Sequence, residues 1–336
     1  GNPLRLAAAA LKTRVIRALD NMTPEQKGFA VGILFGDKSG ISGSDKTILS
    51  QTGIMHVFAV SGLHVGFVLA LGMGLAKLLR LKKWLFAMVA FIPILLYAAM
   101  ADFTPSVTRA LVMATVGLLA YVLGREREKW TSLAVAAGVC LLWRPYFLFD
   151  VGFQLSFLAV AGIFYLSPCL EKVLPGKGAL RNSFALTLAA QLAIMPIVAW
   201  NFHVVTLLGM LISPLLIFVA GVVVVGGLAT LLLSYSFIGP YFVGLLGRFL
   251  QGGVQIATWM NAVPFAWRQV HVPHIGFIFC YYGLLLILPW LTYCKKPRWR
   301  VSLAILFLFA LLVVPTHWRN DLRLTYLDVG QGTAIV

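Results

Sequence analysis

The chain has 336 residues, of which 60% are hydrophobic and 11% charged, and its mean hydropathy is +0.91. A soluble domain carries roughly 25% charged residues, so this composition excludes an ordinary soluble protein. The net charge of +16 leaves two explanations open, namely cytoplasmic loops that bind anionic lipid or a polyanionic substrate.

The first fifty residues predict short amphipathic or interfacial helices. Residues 4–20 form a basic amphipathic pattern, and Thr23-Pro24-Glu25 is typical of a helix start that leads to an end near Gly36. Ser44 or Asp45 is predicted to begin another short helix. These segments are too short and polar to cross a membrane, so residues 1–50 are treated as one interfacial region.

Residues 51–316 predict a polytopic all-α membrane domain with about ten transmembrane helices. Apolar runs of about eighteen residues span 30 Å of hydrocarbon as helices. The candidate segments are 54–79, 83–101, 105–123, 131–143, 149–167, 181–199, 204–233, 239–261, 275–291 and 299–315. The segment 239–261 carries Arg248, Gln251 and Gln255, so it crosses the membrane or lies in the interface.

The distribution of basic residues between the segments predicts the orientation. If residues 54–79 run from outside to inside, Arg144 and Arg268 lie in outside loops. The inside loops then hold fourteen basic residues: Lys77, Arg80, Lys82, Lys83, Arg125, Arg127, Lys129, Lys172, Lys177, Arg181, Lys295, Lys296, Arg298 and Arg300. This bias predicts a multi-pass protein of the cell membrane with both termini outside.

The last residues predict a different structure. Hydrophobic residues alternate in the manner of a β-strand at Leu322, Leu324, Tyr326 and Val329, and we expect no partner strand after them. Residues 317–336 are therefore interpreted as the truncated start of a second domain.

Polar residues inside the apolar segments are the candidates for function, because such residues usually face a bundle interior or a wet cavity. They combine basic and hydroxyl character with almost no carboxylates, which favours an anion. The candidates for a polar path are His56, Ser61, His64, Thr108, Arg109, Gln154, Ser156 and Gln191. Two explanations stay open for Arg109, which either faces this path or pairs with Asp102 or Asp150.

The stretch TGIMHVFAVSGLHVGF at 52–67 allows three further interpretations. Gly62 and Gly66 form a G-x-x-x-G pattern that predicts close helix packing. Ser61 and His64 share a helix face and could form a nucleophile site, but the G-x-S-x-G pattern fails. An intramembrane serine protease also uses a serine followed by glycine, with its histidine on another helix. The four cysteines show no paired spacing with histidine, so we expect no metal site and no cofactor.

Four strings then show a resemblance to a known family. HVFAVSGLHVG, TPSVTRALVM and DVGFQLSFLAV resemble, in this order, the competence transmembrane domain of the ComEC family of bacterial DNA-uptake channels. LDVGQG at 327–332 resembles the first strand of the metallo-β-lactamase-like domain that follows it in that family. The chain ends before any H-x-H-x-D-H metal motif, so we expect no enzymatic activity from it.

The resemblance implies a channel that conducts single-stranded DNA from outside to the cytoplasm during natural transformation. It implies a DNA receptor and a cytoplasmic translocase as partners, beside lipids and the family's oligonucleotide-binding and β-lactamase-like domains. Basic residues with aromatic platforms bind single strands, so Phe58, Phe153 and Phe157 join Arg109 as channel-lining candidates. The alternatives are a transporter of a small anion and, less favoured, an intramembrane serine protease.

Overall fold

A computed structural model describes most of the chain, and within the described residues it is helical apart from four three-residue strands. The described residues are 3–43, 45, 46, 49, 60–126, 128–176, 178–206, 208–233, 236–263, 267–270, 275–293, 307, 326–328 and 333–335. The helices are α1 Pro3–Ala18, α2 Pro24–Phe35, α3 Gly62–Leu78, α4 Lys83–Met100, α5 Pro105–Leu123, α6 Lys129–Trp143, α7 Val151–Val173, α8 Ala179–Phe202, α9 Leu208–Leu233, α10 Gly239–Ala262 and α11 Ile275–Tyr293.

Local sequence sets the ends of α2. The Thr23 hydroxyl accepts the N–H of Gln26 at 3.3 Å, and the Gln26 side chain accepts the N–H of Thr23 at 3.3 Å. This capping box starts the helix, and Gly36 ends it in the left-handed conformation at φ +77°. The predicted cap at Ser44 or Asp45 is wrong, because the hydroxyl of Ser42 accepts the N–H of Asp45 at 3.1 Å.

Four helices, α4, α5, α7 and α8, are long and apolar enough to cross a membrane. Shorter apolar helices in the described residues cover Gly62–Leu78, Lys129–Trp143, Leu215–Leu231 and Ile275–Pro289. The helix α10 is not among either group within that part of the chain. The prediction of a helical protein with membrane-spanning segments is therefore confirmed, whereas the described residues do not show ten spans. The predicted segment 299–315 lies outside them except for Phe307.

Two antiparallel strand pairs interrupt the helices. The predicted segment 204–233 begins with strand β1, Val204–Thr206, which pairs with β2, Trp267–Gln269. An apolar run of β-branched residues does not by itself distinguish a strand from a helix, which explains the error. In the last twenty residues, β3 (Tyr326–Asp328) pairs with β4 (Thr333–Ile335), so the expectation that no partner strand follows is wrong.

The helices pack around two large hydrophobic cores, and a third, small cluster consists of Cys140, Phe147 and Phe153. The first core joins α1 to α5 with α9 and α10, and inside it the Tyr97 hydroxyl donates to the Leu34 carbonyl at 2.8 Å. The second core joins α7, α8 and α11, where the Tyr281 hydroxyl donates to the Leu192 carbonyl at 2.7 Å. Helix α5 contacts α7, so the α5–α7 contact lies at a seam between the two cores.

Candidate functional site: a buried arginine between two helical cores

Arg109 lies in the second turn of α5 and is 8% exposed. Its Nε donates to the Ser156 hydroxyl on α7 at 2.8 Å, and its Nη1 lies 3.7 Å from the Met113 sulfur. The guanidinium carbon lies 6.0 Å from the ring centroid of Phe157, within the range of a cation–π contact. The structure thus brings together three of the predicted path residues across the seam.

Neither predicted carboxylate pairs with Arg109. The Asp150 carboxylate accepts the N–H of Phe153 at 2.9 Å and caps the start of α7 instead. Asp102 lies in the turn after α4, and no ion pair joins it to Arg109. In the part of the chain that the structure describes, the ion pair is Lys27–Asp20. The buried guanidinium is therefore held by neutral groups.

Ser61 and His64 form a close pair at the start of α3. The Ser61 hydroxyl lies 2.8 Å from His64 Nδ1, and the Ser61 N–H donates to the same nitrogen at 3.1 Å. Because Nδ1 accepts a backbone N–H, the ring carries its proton on Nε2. His64 is 2% exposed, and its Nε2 has no hydrogen-bond partner in the described structure.

Several other predicted path residues are satisfied within their own segments. The Thr108 hydroxyl donates to the Phe103 carbonyl at 2.9 Å, and Gln154 donates to the Leu148 carbonyl at 3.0 Å. Phe153 is buried and stacks on Phe157 with ring centroids 4.3 Å apart. Gln191 lies on α8 and does not line the cavity described next. His56 and Phe58 lie outside the described residues.

A cavity of about 320 Å³ extends from Arg109 along α3, α5 and α6. The described residues that line it are Gly62, Val65, Gly66, Leu69, Met73, Arg109, Ala110, Met113, Ala114, Gly117, Leu118, Lys129, Ser132 and Phe164. This lining contains two cations and no carboxylate. Lys129 was not predicted, and its Nζ lies 5.9 Å from the Phe164 ring centroid. The seven-residue spacing of Phe157 and Phe164 on α7 is the sequence signal that could have found this second pair.

The two glycines of the G-x-x-x-G pattern have different surroundings. A β-carbon built on Gly62 would lie 3.2 Å from the Ala110 β-carbon and closer still to the Arg109 guanidinium, so α3 and α5 approach closely there. A β-carbon on Gly66 would meet nothing within 4 Å among the described residues. The prediction of close packing at Gly66 is therefore wrong, because Gly66 borders the cavity.

Metal-binding groups do not cluster in the described residues. Groups of three or more His, Cys, Asp or Glu side chains that could hold an ion are not found there. Cys140 and Cys169 are buried cysteines outside any disulfide, and Cys280 is an exposed one. The chemistry that the site offers is therefore hydrogen bonding and positive charge.

Comparisons with known proteins agree with each other. A family model described as Competence protein matches residues 33–295. The chain is 29% identical to ComE operon protein 3 of Bacillus subtilis over 64% of this chain and 28% of that protein. It is 26% identical to the uncharacterized protein YcaI of Escherichia coli over 91% of this chain and 42% of that protein.

A third relative is recombination protein 2 of Haemophilus influenzae, which is 25% identical over 40% of this chain and 18% of that protein. The chain thus spans less than half the length of each of these curated relatives. No solved structure matches it.

Proposed function

Because the chain belongs to the Competence protein family, we propose that it forms a membrane channel that conducts single-stranded DNA into the cytoplasm during natural transformation. The observation that carries this proposal is the cavity beside Arg109, whose described lining holds two cations and no carboxylate. Such a lining suits a polyanion, since each unpaired carboxylate would repel a passing phosphate.

The arrangement of aromatic rings supports the same substrate. Phe157 lies under Arg109 and Phe164 lies under Lys129, and both rings project from α7. Residues seven apart are two helical turns apart on one face, at a spacing of about 10.5 Å. Cations combined with aromatic rings bind single strands without sequence preference, because every base has a flat face and every linkage has a phosphate.

The proposal includes the orientation and the partners. We infer a multi-pass protein of the bacterial cell membrane with ten crossings and both termini outside, on the basis of its loop charges. We further infer that the chain itself is not an enzyme. A DNA receptor outside and a translocase inside would deliver and pull the strand, together with the family's oligonucleotide-binding and β-lactamase-like domains.

A transporter of a small anion is the second candidate, since the same cations would attract it. The intramembrane serine protease is less favoured by the geometry of the Ser61–His64 pair. A general base needs a free lone pair and a third group that orients the ring. His64 Nδ1 already accepts a backbone N–H, and Nε2 has no partner in the described structure.

The experiment that tests the channel measures transformation frequency with variants of the full-length protein at equal membrane abundance. Arg109→Gln removes a buried charge at similar size, and we expect a loss of about tenfold or more, because hydrogen bonds to charged groups contribute about 1.5–3 kcal/mol. Ser61→Leu and His64→Leu should also lower transformation, because they make the path less polar.

The matched control is Arg125→Gln, which makes the same chemical change at an exposed residue after α5. It should transform like the wild type. If Arg109→Gln and Ser61→Leu transform at wild-type frequency, these residues serve packing and the proposed path is wrong. If transformation falls while strand entry is unchanged, the small-anion transporter gains support.

A further inference from the structure

Ser61 and His64 form a capping box at the start of α3. Ser61 occupies the N-cap position, its N–H donates to His64 Nδ1 at 3.1 Å, and its hydroxyl lies 2.8 Å from the same nitrogen. The capping box leaves the first two N–H groups of the helix without a side-chain partner. The first backbone N–H groups of a helix have no partner within it, and together they carry about half a positive charge. These donors at Gly62 and Leu63 therefore remain available.

The guanidinium of Arg109 lies directly against this positive end. A β-carbon on Gly62 would lie 3.3 Å from the guanidinium carbon and within van der Waals overlap of Nη2. The absence of a side chain at Gly62 is what admits the cation. Nε is bonded to Ser156 and Nη1 lies near Met113, whereas Nη2 has no acceptor among the described residues.

The N-terminus of α3 and the Arg109 guanidinium are both positive and buried, so they repel each other. In the described structure no carboxylate forms an ion pair with Arg109. Burial strengthens this repulsion because the local dielectric constant is low. A further buried donor, His64 Nε2, has no partner in the same turn of α3. The cavity of about 320 Å³ opens on both Gly62 and Arg109, so a ligand can reach them. An oxyanion in this cavity would satisfy Arg109 Nη2 and the N-terminus of α3 at once.

We propose that the N-terminus of α3 and Arg109 Nη2 form a binding site for one phosphate group. The N–H groups of Gly62 and Leu63 donate to its oxygens from one side and the guanidinium donates from the other. The binding itself does not depend on the channel function, but the identification of the phosphate as a linkage of the transported strand rests on it. A lipid headgroup would present the same chemistry.

The test measures the melting temperature of the purified chain in detergent during a titration with inorganic phosphate at constant ionic strength. A ligand that binds the folded state raises the melting temperature as its concentration exceeds the dissociation constant. We expect phosphate to stabilise the wild type more than chloride does. Arg109→Gln should raise the dissociation constant for phosphate by about tenfold or more, and Arg109→Lys should retain part of the affinity.

The matched pair is Gly62→Ala and Gly66→Ala, one helical turn apart. The methyl group at position 62 would displace the guanidinium and abolish phosphate stabilisation, whereas the one at position 66 would leave it intact. If the wild type is not stabilised, or if Arg109→Gln and Gly62→Ala are stabilised as well as the wild type, the site is refuted.

Competition identifies the source of the phosphate. A thymidine oligonucleotide that displaces phosphate from the wild type supports a strand linkage. Displacement by phosphatidylglycerol micelles, but not by the oligonucleotide, supports the oxyanion site and assigns it to lipid. If Arg109→Gln loses phosphate binding yet transforms normally, the channel path is wrong and the anion site stands.

Discussion

The packing of α3 against α4 can be tested with two glycines that lie two residues apart. A β-carbon on Gly72 would lie 2.9 Å from the Ala90 α-carbon and 3.0 Å from the Val89 carbonyl oxygen. A β-carbon on Gly74 would meet nothing within 4 Å in the described structure. Alanine at either position gains about 1 kcal/mol in helix propensity. The two substitutions therefore differ mainly in the contact with α4.

We expect Gly74→Ala to be neutral or to stabilise the protein by up to about 1 kcal/mol. At Gly72 the neighbouring atoms belong to backbone, which cannot move aside as a flexible side chain can. Overpacking of this kind costs about 1–3 kcal/mol, so Gly72→Ala should be less stable than Gly74→Ala by about that amount. The measurement is the melting temperature of each purified variant in the same detergent.

The result bears on the site because α3 carries Ser61, Gly62 and His64 in or beside its first turn and lines the cavity. If Gly72→Ala melts at or above the temperature of Gly74→Ala, then α3 does not approach α4 at Gly72. The position of the cavity wall would then be wrong.

Two further predictions concern the orientation and the chemistry of the chain. Single cysteines at Lys82, Lys177 and Lys296 should be shielded from an impermeant thiol reagent in intact cells, and labelling of all three from outside would overturn the orientation. We expect that the purified chain does not degrade labelled single-stranded DNA, because its sequence contains no H-x-H-x-D-H metal motif. Degradation that stops when a chelator is added would contradict this.

The fold was predictable where a local signal decides the structure. The capping box at Thr23 and Gln26 and the glycine at position 36 fix α2 from sequence alone. The strand Val204–Thr206 was not predictable, because its partner lies about sixty residues later and the run itself reads as part of an apolar helix.

The sequence predicted several residues of the site, but it did not predict which of them contact each other. Polar residues at membrane depth identified Arg109 and Ser156, because such residues need a partner or water. Of the two explanations left open for Arg109, pairing with a carboxylate is not found, because Asp150 precedes α7 and its carboxylate caps that helix. Lys129 was counted among the loop charges, and only the packing of α6 against α7 shows that it lines the cavity and that its Nζ lies over the Phe164 ring.

The position of Arg109 between two cores gives a physical reason for a path at that place. Each core contains a buried tyrosine whose hydroxyl donates to a backbone carbonyl of the same core. Tyr97 donates to Leu34 in the first core, and Tyr281 donates to Leu192 in the second. Across the seam, by contrast, the described contacts include a single hydrogen bond from Arg109 to Ser156 and a long one, at 3.5 Å, from Ser106 to the Gly152 carbonyl. The hydrogen bond from Arg109 to Ser156 is therefore the short one between α5 and α7 in the described structure, and an anion that replaced Ser156 as the acceptor for Arg109 would compensate for its loss.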